Sequence, residues 1–204
     1  MKTDTEQKFD FIIKQSFHNK LKPLGFKKKG NNFYLKKEHL GLIINIQKSA
    51  YYSKEKIHFT INIGVFIPEY YLTYYEYYKN ILPEYPTEPD CAIRCRIGQL
   101  KNQNDIWFDI DEKTDLNNLV NEMDLNLENW ILPYFKNFES KNNFVKWLDS
   151  ANCHIHPLTK LIIFAEYGLY DKAKDEYDKL MSEKFRNPYY KQNVIDYGVK
   201  YKLT

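Results

Sequence analysis

Ile57-His58-Phe59-Thr60-Ile61-Asn62-Ile63-Gly64-Val65-Phe66-Ile67 is the stretch that decides the fold. Its odd-numbered positions are all apolar, whereas His58, Thr60, Asn62 and Gly64 fall between them. A period of two places alternate side chains on opposite faces of a strand, one against a core and one away from it. Upstream, Leu42 to Ser49 is equally rich in β-branched residues, and the polar run Ala50 to Glu55 separates the two, so an antiparallel pair is predicted. Downstream, Ala92 to Gly98 sends Ile93, Cys95 and Ile97 inward, and Asp105 to Ile110 sends Ile106, Phe108 and Ile110 inward. A first hairpin runs from Phe26 to Lys29 through Gly30-Asn31-Asn32 into Phe33-Tyr34-Leu35.

Helical signals flank this sheet. Thr3-Asp4-Thr5-Glu6 has the pattern of a capping box, and Phe9, Ile12, Ile13, Phe17 and Leu21 follow at helical spacing until Pro23 and Gly25 end the run. Pro68 with Tyr71, Leu72, Tyr75 and Tyr78 predicts a short helix before the loop Pro83 to Asp90, where three prolines exclude regular structure. From about Lys113 the period becomes helical. One long or broken helix spans Leu116 to Phe138, and shorter ones are predicted over Phe144 to Leu148, Leu158 to Tyr167, Lys172 to Met181 and Tyr190 to Tyr201. The expected fold class is α+β: an N-terminal helix, a mostly antiparallel sheet of about five to six strands, then a C-terminal run of helices. Residues 1–112 would form the helix and sheet and residues 113–204 a helical extension packed on the sheet, in one compact unit because no Gly/Ser/Pro-rich linker separates them. Ala165 to Ala173 is similar to the inner stretch of a tetratricopeptide hairpin, but a single copy predicts a simple helical hairpin.

The 204 residues are 43% hydrophobic and 28% charged, the balance of a soluble globular protein. Met1 to Lys8 is polar, unlike a secretory signal, and no apolar run reaches the roughly 18 residues of a membrane span, so a cytoplasmic location is expected. Three cysteines in that setting are expected as thiols. A net charge of +3 is too small to imply nucleic acid by itself, although residues 1–60 hold 13 Lys against 5 acidic residues.

The candidate site follows from strand phasing. With Ile44 and Ile46 inward, Asn45, Gln47 and Ser49 point the other way, joined by His58, Thr60, Asn62, Arg94, Arg96, Trp107 and Asp109. A solvated outer face is the plain reading of such a set. The residue types argue against it. The chain has 27 Lys and only 3 Arg, yet two of the arginines stand two residues apart on this face. A planar fork of donors is chosen where carboxylate or phosphate is gripped by two bonds at once, and Trp107 would offer a stacking surface beside it.

Other candidates are weaker. Lys20, Lys22, Lys27, Lys28, Lys29, Lys36 and Lys37, interleaved with Phe26, Phe33 and Tyr34, form a basic hairpin readable as a nucleic-acid patch or as an edge that resists pairing. Cys91-x3-Cys95 and Cys153-His154-Ile155-His156 carry metal-ligand types without the usual paired-cysteine spacing, so no metal is assigned. No nucleophile elbow, P-loop or dinucleotide fingerprint occurs, and no cofactor is implied. His58 with Asp109 would make an acid–base pair if neighbouring strands bring them together, but no catalytic residue is assigned.

Gly25-Phe26-Lys27-Lys28-Lys29-Gly30-Asn31-Asn32-Phe33-Tyr34, Ile46-Gln47-Lys48-Ser49, Ile61-Asn62-Ile63-Gly64 and Arg96-Ile97-Gly98 together resemble a bacterial family known as domain of unknown function 4304, over roughly residues 10–135. The resemblance implies a small α+β domain and no established activity. The resulting expectation is a non-enzymatic interaction protein, of the kind that masks a toxin as an immunity protein or antitoxin does. Its polar sheet face would meet an acidic protein or an anionic small molecule, with no membrane involved. The alternatives are a nucleic-acid-binding module and an enzyme for a phosphorylated or carboxylated substrate.

Overall fold

A computed structural model describes residues 2–50, 53, 55–76, 81–150 and 155–204. In chain order the elements are α1 (Asp4–Ile12), carried through a wider helical turn at Ile13–His18 into α2 (Asn19–Leu21), then β1 (Lys27–Lys29), β2 (Asn32–Lys36), β3 (Gly41–Lys48) and β4 (Ile57–Phe66). After α3 (Pro68–Tyr74) come β5 (Ile93–Arg96), α4 (Ile97–Leu100) and β6 (Phe108–Ile110). The remainder is helical: α5 (Leu116–Asn126), α6 (Leu132–Phe135), α7 (Lys141–Leu148), α8 (Pro157–Glu166), α9 (Tyr170–Ser182) and α10 (Pro188–Lys200). The class is α+β: in chain order an N-terminal helix, an antiparallel sheet and a C-terminal run of helices. Among the described residues no helix is long and apolar enough to cross a membrane.

The chain divides into two units, residues 1–66 with 83–144, and residues 67–82 with 145–204. In the first, the strands run in the order β1-β2-β3-β4-β5, and β6 pairs β4 beside the start of that strand. All the pairings are antiparallel. Strand β4 is therefore central, bonded to β3 along one edge and to β5 and β6 along the other. Its sequence explains the position: from Phe59 to Phe66 every residue is buried, which only a strand covered on both faces achieves.

One face of the sheet carries the core. Phe33, Ile44 and Ile63 lie opposite one another across β2, β3 and β4, as do Lys48, Phe59 and Phe108 across β3, β4 and β6. The α1 side chains Phe9 and Ile12 and, beyond it, Phe17 are buried, and the Phe9 ring meets Phe59 edge-on at 5.5 Å. Each such ring or branched side chain contributes about 2 kcal/mol by leaving water. Thr3 caps α1 as predicted, accepting from the Glu6 N–H at 3.3 Å while its own N–H donates to Glu6 Oε2 at 2.9 Å. Pro23 and Gly25 end the helical run, the glycine at φ +91° where a side chain would be strained. Helix α5 belongs to this unit and lies along the helical run from α1 to α2: the Ser16 hydroxyl donates to the Val120 carbonyl at 3.3 Å, and Lys20 meets Asp124 at 2.9 Å.

The second unit is helical. Its α8 and α9 form the expected simple hairpin, turned at Gly168 with φ +73° and packed through buried Ala173. Glu166 at the end of α8 accepts from the Thr73 hydroxyl at 2.5 Å and the Tyr201 hydroxyl at 2.6 Å. Burial pushes the Tyr70 and Tyr201 hydroxyls well above the usual phenol range. Tyr78, expected in the helix after Pro68, lies outside the described residues.

Candidate functional site

Register assembles the site. Asn32, Asn45, Asn62 and Arg96 stand opposite one another on four successive strands, β2 to β5. Residues in such a row share a face, with Cβ atoms roughly 5 Å apart, so their side chains meet. Asn45 Nδ2 donates to Asn32 Oδ1 at 2.8 Å, Asn62 Nδ2 donates to Asn45 Oδ1 at 3.0 Å and to Gln47 Oε1 at 2.8 Å, and Arg96 Nε donates to Asn62 Oδ1 at 3.3 Å. Asn62 is 5% exposed and Thr60 is fully buried, so at β4 this face is not a wet outer surface. A buried amide tolerates its position only when its donors and acceptor are paired, and Asn62 uses both kinds.

Arg94 and Arg96 project on this same face, opposite Gly64 and Asn62 of β4. Both already hold carboxylates. Arg94 grips Glu88 at two points, Nε to Oε1 at 2.6 Å and Nη2 to Oε2 at 3.0 Å. Arg96 pairs through Nη1 with Asp105, whose Oδ2 also accepts from the Trp107 indole N–H at 2.9 Å. The Arg96 guanidinium lies 5.4 Å from the centre of the Trp107 ring, the stacking expected from the sequence. Gln99 Oε1 accepts from the Arg96 backbone N–H at 2.7 Å. Gln47, Asn62, Arg94, Arg96, Gln99, Glu88, Asp105 and the edge of Cys95 together line an open depression of about 530 Å³.

The remaining candidates lie elsewhere. Asn45 sits behind Asn62, as its hydrogen-bond partner. The Thr60 hydroxyl is spent on the Ile106 carbonyl at 2.7 Å. His58 and Asp109 face each other across β4 and β6, with His58 Nδ1 paired to Asp109, which also takes Lys56 at 3.0 Å. Ser49 joins that end of the sheet through its backbone, donating its N–H to the His58 carbonyl at 2.8 Å. The predicted face thus separates into an amide–guanidinium depression and a histidine–carboxylate cluster at the strand end.

Four lining residues were outside the predicted set: Cys95, read from its strand position as facing inward, and Glu88, Asp105 and Gln99. Glu88 and Asp105 come from loops with no periodic signal, and only the assembled fold brings them to the arginines. Gln99 had one signal, its place three residues after Arg96 at the start of a short helix.

Burial sets the thiol chemistry. It pushes the Cys91 thiol well above its usual range, with the Glu88 and Asp90 charges adding to the effect. The Cys95 thiol is pushed up to about 12 by burial, against the opposing pull of a hydrogen bond with Tyr134. Thiols so raised stay protonated and poorly nucleophilic at neutral pH. Cys91 packs its sulfur over Gly64, where a Cβ would come within 2.5 Å. Cys153 and His154 lie outside the described residues, and among the described residues no three His, Cys, Asp or Glu side chains converge as a metal site would need.

The lysine hairpin differs from expectation in one respect. Lys27, Lys28 and Lys29 are exposed, but Phe26, Phe33 and Tyr34 are buried at 5%, 1% and 8% exposure. Those rings belong to the interior, because alternate positions of β2 face the core and the packed loop in turn, and bases cannot stack on them.

A family described as Domain of unknown function (DUF4304) matches residues 17–137, more than half of the chain. Searches of the curated proteins and of the solved structures returned no match.

Proposed function

The chain belongs to the DUF4304 family, and from that premise we propose that it is a binding protein, not a catalyst, that recognises an anionic group in the depression around Arg96. The observation that carries the reading is Asn62. This 5% exposed amide holds Gln47 and Asn45 with its nitrogen and the Arg96 guanidinium with its oxygen, so the fork is aimed before any ligand arrives. Preorganised donors of that kind raise affinity because little rotamer freedom is lost on binding. A concavity of about 530 Å³ is the size that small molecules occupy, which favours a small anion over a broad protein surface. A side-chain carboxylate of an acidic partner would use the same fork.

The test is a calorimetric titration of the full chain with acetate, lactate, inorganic phosphate and a short oligoglutamate peptide, repeated on Arg96→Lys. At least one anion should bind the wild-type chain and bind Arg96→Lys at least about tenfold more weakly, since lysine keeps the charge but not the planar fork. Binding that the substitution leaves unchanged, or no binding across the panel, overturns the reading.

A further inference from the structure

The depression holds one carboxylate for each guanidinium, and the two pairs are unlike. Glu88 meets Arg94 at two points, and its side chain is only 11% exposed. It stands on a turn closed by Asp90, which accepts from the Thr87 N–H at 2.9 Å and the Thr87 hydroxyl at 2.7 Å. Pulling Arg94 from it would strand a buried charge. Asp105 is 42% exposed and meets Arg96 through Nη1, sharing its Oδ2 with the Trp107 indole N–H. An exposed pair of this kind is cheap to exchange.

The backbone around Asp105 is pinned on both sides. Gln103 N–H donates to the Gly98 carbonyl at 2.9 Å, and the Asn104 carbonyl lies so close that a Cβ on Gly98 would stand 2.2 Å from it. On the other side the Ile106 carbonyl takes the Thr60 hydroxyl at 2.7 Å. Releasing Asp105 from Arg96 therefore requires a turn of one side chain and leaves the loop in place. It would leave two donors, the Arg96 Nη edge and the Trp107 indole N–H, already placed around the former seat of a carboxylate oxygen.

We propose, resting on the reading that Arg96 binds an anion, that Asp105 is the internal occupant of the anion position and that the ligand is a small carboxylate which replaces it there. The class follows from the occupant: a planar carboxylate satisfies both donors at once, and its exchange for another leaves the charge on Arg96 balanced. The amides define the rest of the ligand. Gln47 Oε1 accepts from Asn62 and Gln99 Oε1 accepts from the Arg96 N–H, and both residues line the depression, so what each carboxamide has left to offer a ligand is its nitrogen, a donor. A carboxylate bearing a hydroxyl or carbonyl oxygen, such as a hydroxy acid or an oxo acid, matches that arrangement.

The experiment titrates lactate, acetate and inorganic phosphate into the wild-type chain, Arg96→Lys, Asp105→Asn and Asp105→Ser, with melting curves confirming that each variant folds. Lactate should bind about tenfold more tightly to Asp105→Asn and to Asp105→Ser than to wild type, more tightly than acetate in each, and at least tenfold more weakly to Arg96→Lys. Wild-type tryptophan emission should shift on binding, and Trp107→Phe should abolish the shift. If Arg96→Lys weakens lactate but neither Asp105 variant tightens it, the occupant role is wrong and the anion site stands. Preference for phosphate over both carboxylates in Asp105→Asn overturns the ligand class. Loss of binding in every chain, or binding indifferent to Arg96, overturns the occupant and the site together.

Discussion

Arg94 meets Glu88 with both arms of its fork, Nε to Oε1 at 2.6 Å and Nη2 to Oε2 at 3.0 Å, although the acid is nearly buried and the base is half exposed. The asymmetry predicts the cost of breaking the pair. Arg94→Met would leave the Glu88 carboxylate without its partner in a dry position and should lower unfolding free energy by about 2 kcal/mol. Urea unfolding measures it, and Glu88→Gln added to Arg94→Met should recover a good part, because a neutral amide no longer needs the cation. A double variant no more stable than Arg94→Met would show that the carboxylate is not what suffers.

Gly64 makes a second, independent prediction. It lies near the end of β4 with the Cys91 sulfur over it, and a methyl group there would come within 2.5 Å of Sγ and 3.1 Å of Cβ. Gly64→Ala should destabilise the first unit by about 1–3 kcal/mol through overpacking. Cys91→Ala removes the nearer of those atoms, so in a thermal-melting cycle the double variant should lie above Gly64→Ala. Strict additivity of the two losses would argue that the strand and the loop are not in contact.

The same contacts explain how far the sequence could be read. The alternation in β4 fixed which face each residue of β3, β4 and β5 takes, so the row from Asn45 through Asn62 to Arg96 was legible as a shared face before its hydrogen bonds were known. Strand ends were less legible, because tertiary contacts set them. The strand expected over Ala92 to Gly98 stops at Arg96 and turns into α4, where Gly98 lets the Asn104 carbonyl pack against it. The strand expected from Asp105 begins only at Phe108, since Asp105 is drawn to Arg96 and the Ile106 carbonyl to Thr60. Both shortenings arise from pairs six or more residues apart that no periodic pattern announces. The acids that neutralise the arginines were invisible for the same reason.

Thr60 tests how the Asp105 segment is held. Its hydroxyl is fully buried and donates to the Ile106 carbonyl at 2.7 Å. Thr60→Val keeps the shape and removes the donor, leaving the half-buried Ile106 carbonyl without it at a cost of about 1 kcal/mol. Hydrogen exchange should speed up over residues 104–108 more than over the centre of β3, because local opening there loses its anchor. Uniform acceleration across the sheet would instead place the loss in global stability.

Alkaline pH should reveal the two raised thiols, Cys91 buried and Cys95 half-buried. Burial raises Cys91 well above its ordinary value of 9.0 and Cys95 to about 12, so the folded chain keeps protons that the unfolded chain gives up. The sign follows from linkage: a group whose folded value is raised adds stability that is complete below the unfolded value and declines as pH rises through the folded one. Unfolding free energy should therefore be flat from this source below about pH 8 and fall from about pH 9 towards pH 12. Cys95→Ala removes one of the two titrations, and its alkaline limb should slope less steeply than that of the wild type. Peptide mapping after iodoacetamide at pH 8 should find Cys91 and Cys95 unmodified in the folded chain and modified in urea, because the reagent takes thiolate and burial withholds it. Rapid labelling of either residue without denaturant would mean that the β4–β5 edge opens on the timescale of the reaction.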